Sequence, residues 1–167
     1  MFLYHGRMKK FLRAALGHLF MTPFMGGVLV LAVFIGRPKA VSFIGGILTA
    51  AAHRFVGLAI PLINSPEEFD FFRNRIKRNF SCYGFLYDMR ITVDNQDAVQ
   101  FNILNCPFCC TLRKYGFSDL SRYACAGDWV IARENRDKWT FSREGSIGTG
   151  GDFCNPKYSR KKNKLRS

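Results

Sequence analysis

The stretch FSCYGFLYDMRITVDNQDAVQFNIL, residues 80–104, decides the fold class of this chain. Its first part, Phe80–Val93, is rich in aromatic and β-branched residues, and a second extended run covers Ala98–Leu104. Between the two runs, residues 94–97 (DNQD) form a cluster of turn-forming side chains. The stretch therefore predicts an antiparallel β-hairpin.

Helix signals lie on both sides of this hairpin. Before it, Ser65 suits a helix cap, Pro66 the first helical position, and two acids follow, so a helix is expected to about Arg78. After it, helices are expected over Phe108–Tyr115 and from Ser118 onward, the second carrying Cys125 and Asp128. A strand is expected over Trp139–Glu144. The pattern predicts an α+β fold, in which an apolar helical N-terminal segment precedes a small domain of antiparallel strands packed with helices.

Two apolar stretches precede the hairpin. Ala14–Gly36 (AALGHLFMTPFMGGVLVLAVFIG) contains no Asp, Glu, Lys or Arg, and its 23 residues are enough to cross a ~30 Å hydrocarbon core as a helix. Ala40–Ile63 is also apolar, but His53 and Arg54 lie in it, and a charge at mid-membrane costs roughly 2.5–3.5 kcal/mol. It is either a second span, an interfacial helix or part of the core. We expect membrane association with the soluble domain in the cytoplasm; the alternative is two helices folded against that domain.

The net charge of +13 is concentrated near the ends of the chain. One basic group is near the N-terminus (Arg7, Lys9, Lys10, Arg13), and the other closes the chain (Lys157, Arg160, Lys161, Lys162, Lys164, Arg166). Beside an apolar stretch, such groups indicate an anionic membrane surface as partner rather than nucleic acid. The predicted division is a basic and apolar segment over 1–64, a cysteine-rich domain over 65–156 and a basic tail over 157–167.

The six cysteines are expected to be free thiols, because no signal-peptide cleavage pattern is evident. Cys106 and Cys109 have the spacing of zinc-binding and redox-active pairs. However, the second half of the chain has no matching Cys-x-x-Cys pair and no histidine, and the βαβ pattern of thioredoxin-like proteins is missing. We therefore expect no cofactor, with structural zinc as the alternative. Cys82, Cys109 and Cys110 are interpreted as small apolar residues.

Several other chemically capable residues follow in a distinctive order. They occur in Cys106-Pro-Phe, Tyr115-Gly-Phe-Ser-Asp-Leu, Cys125-x-x-Asp128, Phe141-x-Arg143 and Gly150-Gly-Asp-Phe-Cys154. In this order the chain resembles the L-2-amino-thiazoline-4-carboxylic acid hydrolase family, closely over its last third. The resemblance implies hydrolysis of a C–N or C–S bond in a thiazoline ring, towards a carbamoyl-cysteine, and a small anionic substrate.

This reaction needs a nucleophile, a proton relay and a cation for the carboxylate. Cys106 or Cys154 is the expected nucleophile, with Cys125 in the same site. Asp128 and Asp152 are the available bases, although Asp152 is also suited to capping a turn. Arg143 suits a carboxylate through two-pronged contact, or else forms a structural ion pair. The glycines of the 145–151 turn, Gly150 and Gly151 among them, permit close approach of backbone N–H groups to a substrate.

Two other functions remain open from the sequence. The family usually follows its last cysteine with Asp-Phe, whereas this chain has Asn155 and Pro156. This difference favours a non-catalytic ligand-binding or sensor module at the membrane. A zinc-stabilised domain is the third possibility.

Overall fold

The computed structural model describes residues 2–161, with side chains from Met8 onward. Six helices and four strands lie in this part of the chain. The helices are α1 (Phe2–Ile35), α2 (Arg37–Gly57), α3 (Phe69–Cys82), α4 (Pro107–Lys114), α5 (Ser118–Ala124) and α6 (Gly127–Glu134), and the strands are β1 (Met89–Asp94), β2 (Ala98–Ile103), β3 (Trp139–Ser142) and β4 (Lys157–Arg160). The predicted α+β class is confirmed.

The four strands form one antiparallel sheet in the order β1-β2-β4-β3. The predicted hairpin is its first half, but β1 begins only at Met89, because α3 continues to Cys82 and Tyr83–Phe85 form a 3₁₀ helix. Helix α3 covers the sheet with Phe72, whose ring lies 5.4 Å from that of Trp139 and 5.7 Å from that of Tyr158. These aromatic contacts are the centre of the sheet core.

The basic tail was expected from residue 157, yet Lys157–Arg160 form β4, an inner strand of the sheet. Tyr158 is almost fully buried there, and it pairs with Val99 on one side and Phe141 on the other. Residues 162–167, which hold the other predicted tail cations, lie outside the described residues.

A single helix was expected to carry both Cys125 and Asp128. The structure instead has two helices here, α5 and α6, which are separated by Cys125 and Ala126.

Helices α1 and α2 form an antiparallel pair. Phe20 lies beside Phe55 at 6.3 Å between rings, and Gly27 lies against Ile44, so residue numbers rise on one helix as they fall on the other. The chain reverses at Gly36, whose φ of 78° favours glycine, and Pro38 stands in the first turn of α2.

One face of this helix pair packs tightly on the domain. Gly17 allows α1 to approach α4, where an added Cβ would lie 2.6 Å from the Pro107 carbonyl oxygen. Gly45 of α2 similarly lies against the Tyr123 ring, and Gly127 of α6 against the backbone of Ala52. Helices α1 and α2 therefore share a hydrophobic core with the cysteine-rich domain.

Polar contacts also tie the helix pair to the domain. Arg13 makes a bidentate ion pair with Asp88, with nitrogen–oxygen distances of 2.8 and 2.7 Å. Arg37 pairs with Asp119, and the His53 Nε2 atom lies 2.8 Å from Glu134 Oε2. In the sequence, His53 was an argument against a second membrane span. In the structure it has an acidic partner, Glu134, on α6.

The opposite face of the helix pair is apolar and exposed. On α1, Leu29, Val30, Val33 and Phe34 are 58–81% exposed, and Phe43 on α2 is 61% exposed. Two helical stretches, Met8–Ile35 and Arg37–Gly57, are long and apolar enough to cross a membrane. Core helices of soluble proteins can have the same length and composition.

Candidate functional site

A cavity of about 240 Å³ lies between the N-terminal helix pair and the cysteine-rich domain. Five of the predicted site residues line it: Cys106, Cys125, Asp128, Arg143 and Cys154. They arrive from different elements, since Cys106 precedes α4, Cys125 and Asp128 flank the start of α6, and Arg143 and Cys154 lie on either side of the glycine turn. The fold thus brings together residues separated by up to 48 positions in the sequence.

Cys125 is at the centre of a group of thiols. Its Sγ lies 3.7 Å from that of Cys109, and both pack with Cys154 and Cys106. Hydrogen bonds from the Cys109 and Cys154 thiols, with help from Ser146 and the Arg143 charge, lower the pKa of Cys125 to about 2. The lowered pKa favours the thiolate form of Cys125.

Two other thiols of this group, Cys109 and Cys154, have raised pKa values. The pKa of Cys154 is raised by its hydrogen bond to Cys125 and by burial, and its Sγ also accepts a hydrogen bond of 3.1 Å from the Ile147 backbone N–H. The pKa of Cys109 is raised as well, first by its contact with Cys106 and then by that with Cys125. Cys154, which the sequence offered as a nucleophile, is thus placed as a proton donor to Cys125.

Asp128 and Arg143 form a pair beside the thiolate. Arg143 donates from Nη1 to Asp128 Oδ2 at 2.5 Å and from Nη2 to the Cys125 carbonyl oxygen at 2.9 Å. Burial raises the pKa of Asp128 to about 6, although the Arg143 charge opposes that rise. The sequence offered two roles for Arg143, binding of a substrate carboxylate or a structural ion pair. In the structure it forms the ion pair, with Asp128.

The remaining predicted residues lie away from the cavity. Gly150 (φ 100°) and Gly151 shape the turn after Ile147, and Gly151 donates its N–H to the Ser146 carbonyl oxygen at 2.8 Å. Asp152 is exposed. None of these three residues is among those lining the cavity. Another glycine of this turn, Gly148, does contact the site, because Cys125 Sγ packs directly against it.

Asn155 has a structural role next to this turn. Its buried Oδ1 accepts hydrogen bonds from the backbone N–H groups of Glu144 and Gly145, at 3.0 and 2.7 Å. An aspartate oxygen at the same place could accept the same two bonds. The Asp-to-Asn difference from the family pattern therefore removes no side chain from the cavity lining.

The sequence did not identify the aromatic wall of the cavity. Phe20, Phe55 and Phe108 lie within 5.8–6.3 Å of one another, and Phe108 contacts Tyr87 at 6.3 Å. Burial, with the nearby Cys106 and Asp128, raises the pKa of Tyr87, so its phenol stays protonated. No sequence signal separates these aromatic residues from the other Phe and Tyr residues, because only the packing of α1 and α2 brings them here.

Within residues 2–161, no three His, Cys, Asp or Glu side chains are arranged to hold a metal ion.

Comparison with known proteins identifies the family. The chain matches no curated protein and no solved structure. The sequence model of the L-2-amino-thiazoline-4-carboxylic acid hydrolases, however, matches residues 36–158. The match covers more than half of the chain, and it includes α2, all of the cavity-lining thiols, Asp128 and Arg143. The chain therefore belongs to the L-2-amino-thiazoline-4-carboxylic acid hydrolase family.

Proposed function

We propose that this protein hydrolyses a thiazoline-type ring at its C–N or C–S bonds, with Cys125 as the nucleophile. One observation carries the proposal: in a member of this hydrolase family, the Cys125 thiolate and the Asp128 carboxyl group line the same cavity. A nucleophile and a proton-transfer group with a pKa near neutrality are the two groups that this reaction needs.

In the first half of the reaction, the Cys125 thiolate adds to the ring carbon between nitrogen and sulfur. A proton passes from the Asp128 carboxyl group to the ring nitrogen as that carbon becomes tetrahedral. The ring C–S bond then breaks, and its electron pair leaves on the substrate sulfur. The opened substrate is held on Cys125 as an isothiouronium.

Water completes the reaction at the same carbon. It adds there and gives one proton to the Asp128 carboxylate, which restores the carboxyl group. The Cys125 thiolate then leaves, and the remaining hydroxyl proton passes to the substrate thiolate. The product carries a carbamoyl group and a free thiol, and the net change is the addition of one water molecule.

The positions of three neighbours support these roles. Hydrogen bonds with Cys109 and Cys154 lower the pKa of Cys125, while Arg143 holds both Asp128 and the Cys125 backbone in place. Cys106 also lines the cavity, whereas Cys125 is the thiol whose pKa is lowered and whose backbone carbonyl oxygen is held by Arg143, the partner of Asp128. We therefore assign nucleophilic attack to Cys125 rather than to Cys106 or Cys154.

We also propose that the protein works at a membrane, with the domain on the cytoplasmic side. The exposed apolar face of α1 and α2 supports the contact with a membrane. An apolar patch of this kind on a soluble protein marks a membrane or protein contact.

The test is turnover of 2-amino-thiazoline and its 4-carboxylate by the purified full chain. Release of a free thiol and formation of a carbamoyl product are expected, and acid quenching should trap a substrate adduct on Cys125. In Cys125→Ser the rate should fall at least 1,000-fold. Cys110→Ser is the matched control, since Cys110 is exposed and does not line the cavity. Equal rates in wild type and Cys125→Ser, or binding without product, would refute the proposal.

A further inference from the structure

The cavity is apolar over most of its wall, and much of that wall belongs to the N-terminal helices. Helix α1 contributes Phe20, Met21 and Phe24, and α2 contributes Leu48, Ala51 and Phe55. The thiols, Asp128 and Arg143 come from the domain that these helices cover. A molecule that fills the cavity therefore has one part against the reactive groups and another against α1 and α2.

The apolar part of the cavity reaches the protein surface beside exposed residues of both helices. Phe20 is 45% exposed, and Ala51 is exposed as well. From Phe20 an aromatic wall continues inward through Phe108 to Tyr87, in ring steps of 5.8 and 6.3 Å. This wall offers dispersion contacts and apolar burial to a flat or aliphatic group.

The charged side chains that line the cavity already form an ion pair with each other. Asp128 and Arg143 are the charged side chains among the described residues that line it, and both guanidinium Nη atoms have protein acceptors. The Cys125 thiolate lies on the same side. A substrate carboxylate would lie near Cys125 and a guanidinium group that is already bound to protein acceptors, and burying a charge without a partner is strongly unfavourable.

We infer that the substrate of this site is a ring carrying an uncharged apolar substituent, which lies against α1 and α2, in place of the ring carboxylate of the family's name. The inference rests on the proposed function for the reaction at the ring. It changes the expected substrate class from a small anion to an apolar or amphipathic molecule. The N-terminal helices then form part of the binding site.

The experiment measures dissociation constants of the full chain by calorimetry. The probes are 2-amino-thiazolines with methyl, propyl or carboxylate at position 4. Each added methylene should tighten binding about fourfold, and the carboxylate should bind at least tenfold more weakly than the propyl compound. A carboxylate that binds as tightly as the propyl compound, or a series in which nothing binds, overturns the inference.

Turnover of the same compounds separates this inference from the proposed function. If none is hydrolysed, the proposed reaction fails, while the ranking of dissociation constants still decides the substrate class. If the carboxylate is hydrolysed and also binds best, the reaction stands and the apolar substituent is refuted.

A pair of matched variants tests whether the substituent binds against the N-terminal helices. Ala51→Phe puts a ring at the lining position of α2 and should weaken binding of the propyl compound at least tenfold. Ala50→Phe adds the same ring one residue earlier, at an exposed position outside the lining, and should leave binding unchanged. Phe20→Ala removes an aromatic ring from the cavity wall and should also weaken binding of the propyl compound. Equal binding by all three variants and wild type refutes the inference.

Discussion

Arg143 Nη1 lies 2.5 Å from Asp128 Oδ2 in an ion pair whose side chains are only 7% and 21% exposed. The same guanidinium group holds the Cys125 carbonyl oxygen and lies 5.8 Å from the centre of the Trp129 ring. The pair therefore links the residue that follows β3 to the junction of α5 and α6. Its position makes it both a structural contact and the neighbour of the proposed nucleophile.

Removing one partner of this pair should cost much of the protein's stability. Arg143→Gln leaves the Asp128 carboxylate buried without its cation, a loss of about 3–5 kcal/mol for buried pairs. Urea unfolding measures this change. Arg37→Gln is the control, because its pair with Asp119 is 46% and 37% exposed and should contribute about 0–1 kcal/mol. Equal losses in the two variants would contradict the buried role of Arg143.

The activity should fall as pH rises through about 6. Burial raises the pKa of Asp128 to that value, so the carboxyl group is protonated below it and ionised above it. The first step needs the proton, while Cys125 is already a thiolate across this range. We therefore expect kcat/KM to decline towards tenfold per pH unit above pH 6. A profile that rises between pH 6 and 8 would instead indicate that a thiol with an ordinary pKa must ionise.

Cys125 should react with iodoacetamide at a pH where ordinary thiols do not. Because its pKa is lowered, its alkylation rate should change little between pH 5 and 8. Free cysteine in solution is the control, since a thiol with a pKa near ~8.5 should react about tenfold faster per pH unit over this range. Peptide mass spectrometry follows alkylation at Cys125 separately from that at the other cysteines. A pH slope at Cys125 equal to that of free cysteine would contradict the lowered pKa.

Gly148→Ala should damage the site without touching a charged group. The added Cβ would lie 2.7 Å from the Ser121 carbonyl oxygen and would overlap Cys125 Sγ, so the thiolate must move. We expect a loss of about 1–3 kcal/mol in unfolding free energy and at least tenfold in kcat/KM. Gly46→Ala is the control. Its Cβ meets nothing within 4 Å, and alanine in a helix should stabilise by about 0.5–1 kcal/mol.

Membrane binding should depend on the exposed face of the helix pair. The double variant Val33→Glu, Phe34→Glu places two charges on that face and should reduce co-sedimentation with phosphatidylserine-containing vesicles at least tenfold. Phe71→Glu is the control, because Phe71 is 57% exposed but lies on α3. A wild-type chain that stays in the supernatant would refute the membrane placement.

The sequence by itself determined the local elements of this protein. Alternating β-branched and aromatic residues around a polar turn specify β1 and β2, and Pro107 with Gly116 bounds α4. The ordered motifs from Cys106 to Cys154 also identified the family. These features are readable because turn, cap and strand preferences act between residues close in sequence.

Tertiary structure alone decided which residues share the cavity and what each does there. Residues 157–160 (KYSR) look like a charged tail, but hydrogen bonds to two other strands make them an inner strand. The pKa of Cys125 is lowered because Cys109, Cys154 and Arg143 reach it from other elements, whereas Asp152 stays in solvent although it is only two residues from Cys154. The apolar segment read as an anchor also became a wall of the site, since a helix of this composition can bury one face in the protein and expose the other. Contacts between distant segments set burial and charge, and these in turn set the chemistry.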